Sequence, residues 1–296
     1  MFNKIHINYF IIIFIVIFFT ACELSVDENI FVRQSVIWVD GIVGTDDSVK
    51  IFLGTTSGMN SGDIAVYRDD AKVELYINNT TIPVVLDYKK LFGSSSKGFY
   101  FYPRLGAVKP GDSLIICASI DNSNLKPIKA KAIFPQPVQI NDIKLKCDHN
   151  TFSNRNYIDL HFTLDEISLK SNRFFEIRLK NKKYSETDTL KGIASQIEEI
   201  GTTNNLSISS GLFWSEKSRS IFVDYEKLEK KELKLQFDIA ADAFKNDLEI
   251  ELKTISPEYF EYSRALDTGN LGKSNIDGGS GIFTGYSRIF KTVAIK

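Results

Sequence analysis

Leu248-Glu249-Ile250-Glu251-Leu252-Lys253-Thr254-Ile255 alternates apolar and polar side chains without a break. Successive side chains of a strand point to opposite faces, so this period of two predicts a strand with one dry face and one wet face, formed by Glu249, Glu251 and Lys253. Such a strand belongs in an antiparallel sheet packed on one side only. Upstream, Ile140–Cys147, Tyr157–Leu164, Phe174–Leu179, Ile221–Tyr225 and Leu233–Ile239 read the same way. Downstream, Ser256 is placed as an N-cap, Pro257 at the first helical position and Glu258 in the first turn, so one helix of about three turns is predicted with Tyr259, Tyr262 and Leu266 along one face. The segment 267–286 is rich in Gly, Asn and Ser, and a final strand is predicted over Ile289–Ile295.

The N-terminal half repeats the pattern with shorter strands. Ser35–Val39, Val49–Leu53, Val73–Ile77, Ile82–Leu86, Phe99–Tyr102, Ser113–Ile120 and Lys129–Phe134 are separated by turn signals, among them Asn78-Asn79 and Pro110-Gly111-Asp112. Short strands at this spacing predict a β-sandwich. Pro135-Gln136-Pro137 removes two backbone donors in three residues and ends whatever strand precedes it. The expectation is therefore mostly β: a β-sandwich over 35–134 and a second antiparallel β-sandwich over 138–296, with one short helix near the C-terminus.

The first residues read as an address. Lys4 is followed by Tyr9–Phe19, eleven apolar residues in a row. A membrane-crossing helix needs about 20, so this is a secretory h-region and residues 1–21 are expected to be removed. Thr20-Ala21-Cys22 resembles the lipobox of bacterial lipoproteins, in which the Cys22 thiol is acylated, with palmitate-type chains, before cleavage. Residues 22–34 then form an acidic tether. Its Asp27 and Glu28 resemble the export signal that carries lipoproteins to the outer face of the outer membrane; a solvated linker is the alternative reading.

Charge and composition exclude several functions. Thirty-six basic residues against 37 acidic ones give a formal charge of −1 in 296 residues, so no basic field exists for nucleic acid. Cys117 and Cys147 stand 30 residues apart, a spacing that permits a bridge without requiring one. With HExxH and CxxC both missing from the sequence, no metal site and no cofactor are expected. His161 is placed on the solvent face of its strand. Gly278-Gly279-Ser280-Gly281 misses GxGxxG at Thr284 and GxSxG at Ile282, so its glycines are read as backbone devices and Ser280 is not a nucleophile. No catalytic residue is assigned. Aromatics at exposed positions mark contact sites. Phe99-Tyr100-Phe101-Tyr102 fills both faces of one strand, and Phe213-Trp214 falls in a predicted loop, so Tyr100, Tyr102, Phe213 and Trp214 are the candidate partner contacts.

Val39-Asp40-Gly41-Ile42-Val43, Gly98-Phe99-Tyr100, Lys109-Pro110-Gly111-Asp112, Ser256–Tyr262 and, most specifically, Asn275-Ile276-Asp277-Gly278-Gly279-Ser280-Gly281-Ile282-Phe283 carry a resemblance. The chain resembles the Bacteroidota outer-membrane lipoprotein family classed as domain of unknown function 4249, typically encoded beside TonB-dependent receptors. The resemblance implies a transthyretin-like or Ig-like N-terminal sandwich and a surface-exposed, lipid-anchored protein. It also implies a non-enzymatic accessory or binding subunit of a TonB-dependent nutrient uptake system, the receptor being its partner. A surface-anchored hydrolase and a structural or adhesive surface module are the alternatives.

Overall fold

The computed structural model describes residues 35–294, save 46–47, 57–65, 79, 95–96, 104, 106–107, 151–154, 166–171, 182–211, 216–219, 229–231, 241–246 and 269–273, and the backbone alone at 147, 149–150, 155–158, 180–181, 212–214, 232 and 236–240. The signal segment, Cys22, Asp27 and Glu28 lie outside the described residues.

Among the described residues, alternation builds three sheets. β1 (Ile37–Gly44), β2 (Val49–Thr55), β3 (Val66–Tyr67), β6 (Asp87–Lys90) and β7 (Gly98–Tyr102) lie in one large sheet together with strands from the far end of the chain. β4 (Ala71–Ile77), β5 (Val84–Val85), β8 (Ser113–Ile120) and β9 (Ile128–Ile133) form the facing sheet, in the order β5-β4-β8-β9. Their inward side chains, among them Val39, Ile51, Leu75, Tyr100, Leu114 and Ile116, make the first core. β10 (Ile140–Asn150), β11 (Arg155–Leu164) and β15 (Glu232–Ala240) form the third sheet. It packs through Leu160, Phe162 and Leu233 on β12 (Phe174–Asn181), β14 (Ser220–Asp224) and β16 (Leu248–Ile255), which contribute Phe175, Ile177, Val223 and Ile250 to a second core. β13 (Leu212–Ser215) is the edge beside β14. The protein is thus mostly β, with several antiparallel sheets and, among the described residues, a single α-helix near the C-terminus. Among those residues no helix is long and apolar enough to cross a membrane.

The predicted caps and turns form. The Tyr259 N–H donates to the Ser256 hydroxyl at 3.2 Å, starting α1 (Pro257–Asp267). Gly111 takes φ of 92°, and Asp112 behind it accepts from the Lys109 N–H and from the Asn78 side-chain amide.

The C-terminal segment departs from its expected reading. The last strand begins at Ser280, not Ile289: β17 (Ser280–Val293) runs for 14 residues. Its first half pairs parallel with β1, from Trp38 opposite Ser280 to Gly44 opposite Tyr286, and its second half pairs antiparallel with β16. The large sheet therefore runs β13-β14-β12-β16-β17-β1-β2-β7-β6 across the whole molecule. Odd-numbered residues of β17 face the two cores in turn: Phe283 lies in the first, and Ile289 packs on the second. The even-numbered Ile282 and Tyr286 face α1 with Tyr259, Phe260 and Tyr262. Residues 274–286 thus cross the Pro135–Pro137 boundary to join the N-terminal sandwich.

The Asn275–Phe283 stretch is the device that makes this crossing. The Asn275 amide donates to the Phe283 carbonyl at 2.7 Å, and its oxygen accepts from the Phe283 N–H at 2.9 Å. Asp277 exchanges two backbone hydrogen bonds with Lys129 of β9, at 2.8 and 3.0 Å. Gly281 sits at φ of 106°, and a Cβ there would lie 1.9 Å from the Val39 carbonyl oxygen of β1. Gly279 has no room either, with the Ile37 carbonyl oxygen 2.5 Å from where its Cβ would stand. Gly41 across the pair leaves space for the fully buried Phe283 ring, whose Cδ2 would lie 2.9 Å from a Cβ at that position.

Gly281→Val is expected to destabilise the protein by about 1–3 kcal/mol through backbone strain and displacement from β1. Asn275→Ala is expected to cost about 1–2 kcal/mol for its two hydrogen bonds, and Phe283→Ala about 3–5 kcal/mol for its cavity. Urea unfolding midpoints check all three, and an unchanged midpoint for Gly281→Val contradicts the crossing.

Candidate functional site

The side of the large sheet away from the cores carries α1 in its middle. A row of rings extends to one side of the helix and a set of ions to the other. In the row, Trp38 meets Tyr67 at 6.4 Å between centroids, Tyr67 meets Phe52 at 6.3 Å, Phe52 meets Phe99 at 5.8 Å, and Phe99 meets Phe101 at 6.1 Å. Every pair is tilted or edge-to-face, the arrangement ring quadrupoles favour. All five side chains are half-buried. Lys89 Nζ sits 3.7 Å from the Phe101 centroid and Lys50 Nζ 5.9 Å from that of Phe99, so the row ends in cations. On the helix side, the Trp38 indole bonds the Tyr262 hydroxyl, and burial pushes the neighbouring Asp40 carboxyl up.

Tyr100 and Tyr102 are on the opposite face. Tyr100 is 2% exposed, accepts from the Ala71 N–H at 2.8 Å and donates to the Arg68 carbonyl; burial raises its hydroxyl to about 12. Tyr102 packs against the first core. The rings this strand turns outward are therefore Phe99 and Phe101. An all-aromatic strand does not reveal its inward face, so the parity came out reversed. Phe213 and Trp214 stand in β13, not in a loop, and their side chains lie outside the described residues.

The second set overturns the expected wet face of β16. Glu251 is 1% and Lys253 5% exposed. Lys253 lies between Glu176 on β12 and Arg288 on β17 in register, and Arg178 lies opposite Glu251. Glu176, with no exposed surface, accepts from Arg178 at 2.7 Å, from the Ser220 hydroxyl at 2.8 Å and from Lys253 at 3.2 Å. Burial alone would raise the Glu176 carboxyl, but Lys253 and Arg178 outweigh it and keep it below the ordinary range. Burial pulls the Lys253 ammonium down, and Glu176 opposes it. Lys253 Nζ also lies 4.8 Å from the Tyr286 ring centroid, and Arg288 bonds Glu251 at 3.3 Å. Nearby, Arg173 holds Asp224 through two bonds of 2.7 and 2.8 Å, keeping that carboxyl low. These acids are locked to cations on rigid strands, which is the geometry of a structural network.

An open trough of about 510 Å³ lies on the outer face of β4-β8-β9, lined by Lys72, Glu74, Cys117, Lys126, Lys129 and Asp277. Lys72 pairs with Glu74 at 2.7 Å. The Cys117 thiol is free, and burial pushes it up, away from the reactive thiolate. His161 is half-buried on β11 between buried Leu160 and Phe162. Among the described residues, no group of three or more His, Cys, Asp and Glu side chains could hold a metal ion.

A mostly β protein whose signature segment is a strand-joining clasp is the class this geometry defines. The sequence matches the domain of unknown function DUF4249 over residues 21–291, and the chain belongs to that family. No curated protein matches it. Among solved structures, it is similar to the β-glucuronidase of Parabacteroides merdae, at 9% identity with a TM-score of 0.24, over 75% of this chain and 23% of that one. It is also similar to β-glucuronidase 3 of Bacteroides uniformis, at 8% identity with a TM-score of 0.23, over 89% of this chain and 25% of that one. The chain thus spans about a quarter of the length of the solved structures it matches.

Lys253→Met leaves Glu176 buried with one cation fewer and is expected to cost about 3–5 kcal/mol. Adding Glu176→Gln should recover part of that loss. Because the folded Glu176 pKa lies below the unfolded one, its contribution is present above the unfolded value, about 4.3, and lost as pH falls through the folded value. The Lys253→Met deficit should therefore be largest at neutral pH and narrow as pH falls through the folded Glu176 value, which urea unfolding midpoints at neutral and acid pH check.

Proposed function

We propose that this protein is a non-enzymatic binding subunit, lipid-anchored through Cys22 at the outer membrane and facing the exterior, that works with a TonB-dependent receptor in nutrient uptake. One observation carries the reading: the row Trp38, Tyr67, Phe52, Phe99 and Phe101, capped by Lys50 and Lys89, on the outer face of a sheet stiffened from both sides. Rings on rigid strands give a partner large contact area at little entropic cost, and flanking lysines steer an acidic surface toward them. The lipobox-like Thr20-Ala21-Cys22 and the acids Asp27 and Glu28 support the location. Membership of the DUF4249 family is consistent with it. Glu176 and Asp224, two of the buried carboxylates, are each held by two cations, which favours binding over hydrolysis at those positions.

Affinity purification from detergent-solubilised membranes tests this. A TonB-dependent receptor should co-purify, and the N-terminal peptide should carry acyl chains on Cys22. Phe99→Ser with Phe101→Ser should abolish co-purification with little change in melting temperature. An unmodified N-terminus, or receptor capture that survives both serines, overturns the proposal.

A further inference from the structure

β1 begins with Ile37 opposite Thr55, the last residue of β2. β7 runs antiparallel to β2, with Ile51 opposite Tyr100 and Val49 opposite Tyr102, so the start of β7 also lies toward the end of β2. The hairpin that joins β6 to β7 therefore projects from the same end of the sheet at which the chain enters from its N-terminal tether. That hairpin tip is tied by its own hydrogen bonds. The Leu91 N–H donates to the Lys97 carbonyl at 2.9 Å and the Ser94 N–H to the Leu91 carbonyl at 3.1 Å; the Lys97 N–H donates to the Ser94 hydroxyl, and Gly93 turns the chain at φ of 77°. At its apex Phe92 has a relative exposure of 107%, the highest of the exposed large apolar side chains among the described residues, with Leu91 half-exposed beside it.

The charge around this apex is one-sided. From Tyr88 to Tyr102 the sequence holds Lys89, Lys90 and Lys97 and no acid, in a chain whose formal charge is −1. Acids at the same end include Asp69, Asp70, Asp121 and Asp277; Asp70 is paired with Arg68, Asp121 follows Ile120 on the facing sheet near Lys72, and Asp277 lies across the trough beside Lys126 and Lys129. An aromatic tip flanked by lysines is the chemistry that enters the headgroup region of an anionic bilayer, the ring sinking to the acyl boundary and the ammonium groups staying with the phosphates. The thirteen Cα–Cα steps from Cys22 to Ser35 reach at most about 45 Å, so an anchor at Cys22 keeps this end near the bilayer.

We infer that the β6–β7 hairpin is a second membrane contact: Leu91 and Phe92 insert into an anionic lipid surface and Lys90 and Lys97 bind its headgroups. The inference rests on the proposed anchor for its setting. The hairpin sets the tilt of the N-terminal sandwich and leaves the aromatic face upright beside the membrane.

The test uses the full chain purified from membranes and reconstituted in phosphatidylcholine vesicles with and without phosphatidylglycerol, the acyl chains carrying bromine as a fluorescence quencher. Phe92→Trp is compared with Ile82→Trp, an 80% exposed site near the opposite end of the sandwich, and with the parent, which keeps Trp38 and Trp214. The indole introduced by Phe92→Trp should shift to the blue and be quenched in the anionic vesicles, whereas the emission of Ile82→Trp should show no more quenching than the parent. Replacing Lys90 and Lys97 with Gln should weaken that contact by about fivefold per lysine. Equal quenching at 82 and 92, quenching at 92 that survives loss of both lysines, or burial of the indole at 92 only when a receptor co-purifies, overturns the inference. The N-terminal mass separates the two claims: an acylated Cys22 with an unquenched indole at 92 removes the hairpin contact alone, whereas an unacylated chain that still shows anionic quenching at 92 removes the anchor alone.

Discussion

One strand with two partners holds this protein in its shape. β17 gives the hydrogen bonds of its first seven residues to β1 and those of its second half to β16, and its odd-numbered side chains enter two separate cores. Each half needs something a plain strand cannot supply. The parallel half must bring its backbone close to β1, which requires Gly281 at a positive φ and Gly279 without a side chain. It must also start abruptly, and there the Asn275 amide stands in for one residue of a neighbouring strand by bonding both backbone groups of Phe283. The glycines and the asparagine act as backbone geometry, which is why the segment resembles several catalytic loops and matches none.

The junction has a consequence for charge. Because β17 continues the sheet past β16, the outer side chains of β16 lie between those of β12 and β17, with the Tyr286 ring 4.8 Å from Lys253 Nζ. Glu251 and Lys253 are thereby enclosed, and the structure answers with Glu176, Arg178 and Arg288 on the flanking strands. A buried ion cluster of this kind contributes little net stability, but it penalises any register that separates the partners. A one-residue slip of β17 or β12 would place these charges in the second core. The cluster thus guards the register of the same strand that links the two sandwiches.

Much of the fold was legible in the sequence. Alternation identified the strands, Ser256-Pro257 marked the helix start, and Pro110-Gly111-Asp112 the turn, because each is decided by residues within a few positions. The pairing of β1 with β17 was not legible: its partners are more than 240 residues apart, and the glycines that allow it also read as a loop. Glu251 and Lys253 were misread for the same reason, since alternation reports which side chains share a face and not what covers it. At the candidate site, the sequence pointed to the Phe99–Tyr102 strand, but which of its rings face outward depended on Tyr100 finding the Ala71 N–H and the Arg68 carbonyl inside the core.

Native-state hydrogen exchange resolved along β17 tests the shared strand most directly. The account predicts that amides of Ile282–Tyr286 and of Val39–Val43 exchange together, as slowly as those of Ile250–Lys253, because each forms part of one continuous sheet. Rapid exchange of 282–286 alongside slow exchange in β16 would show that the first half of β17 is a loop laid on the N-terminal sandwich, and would contradict it.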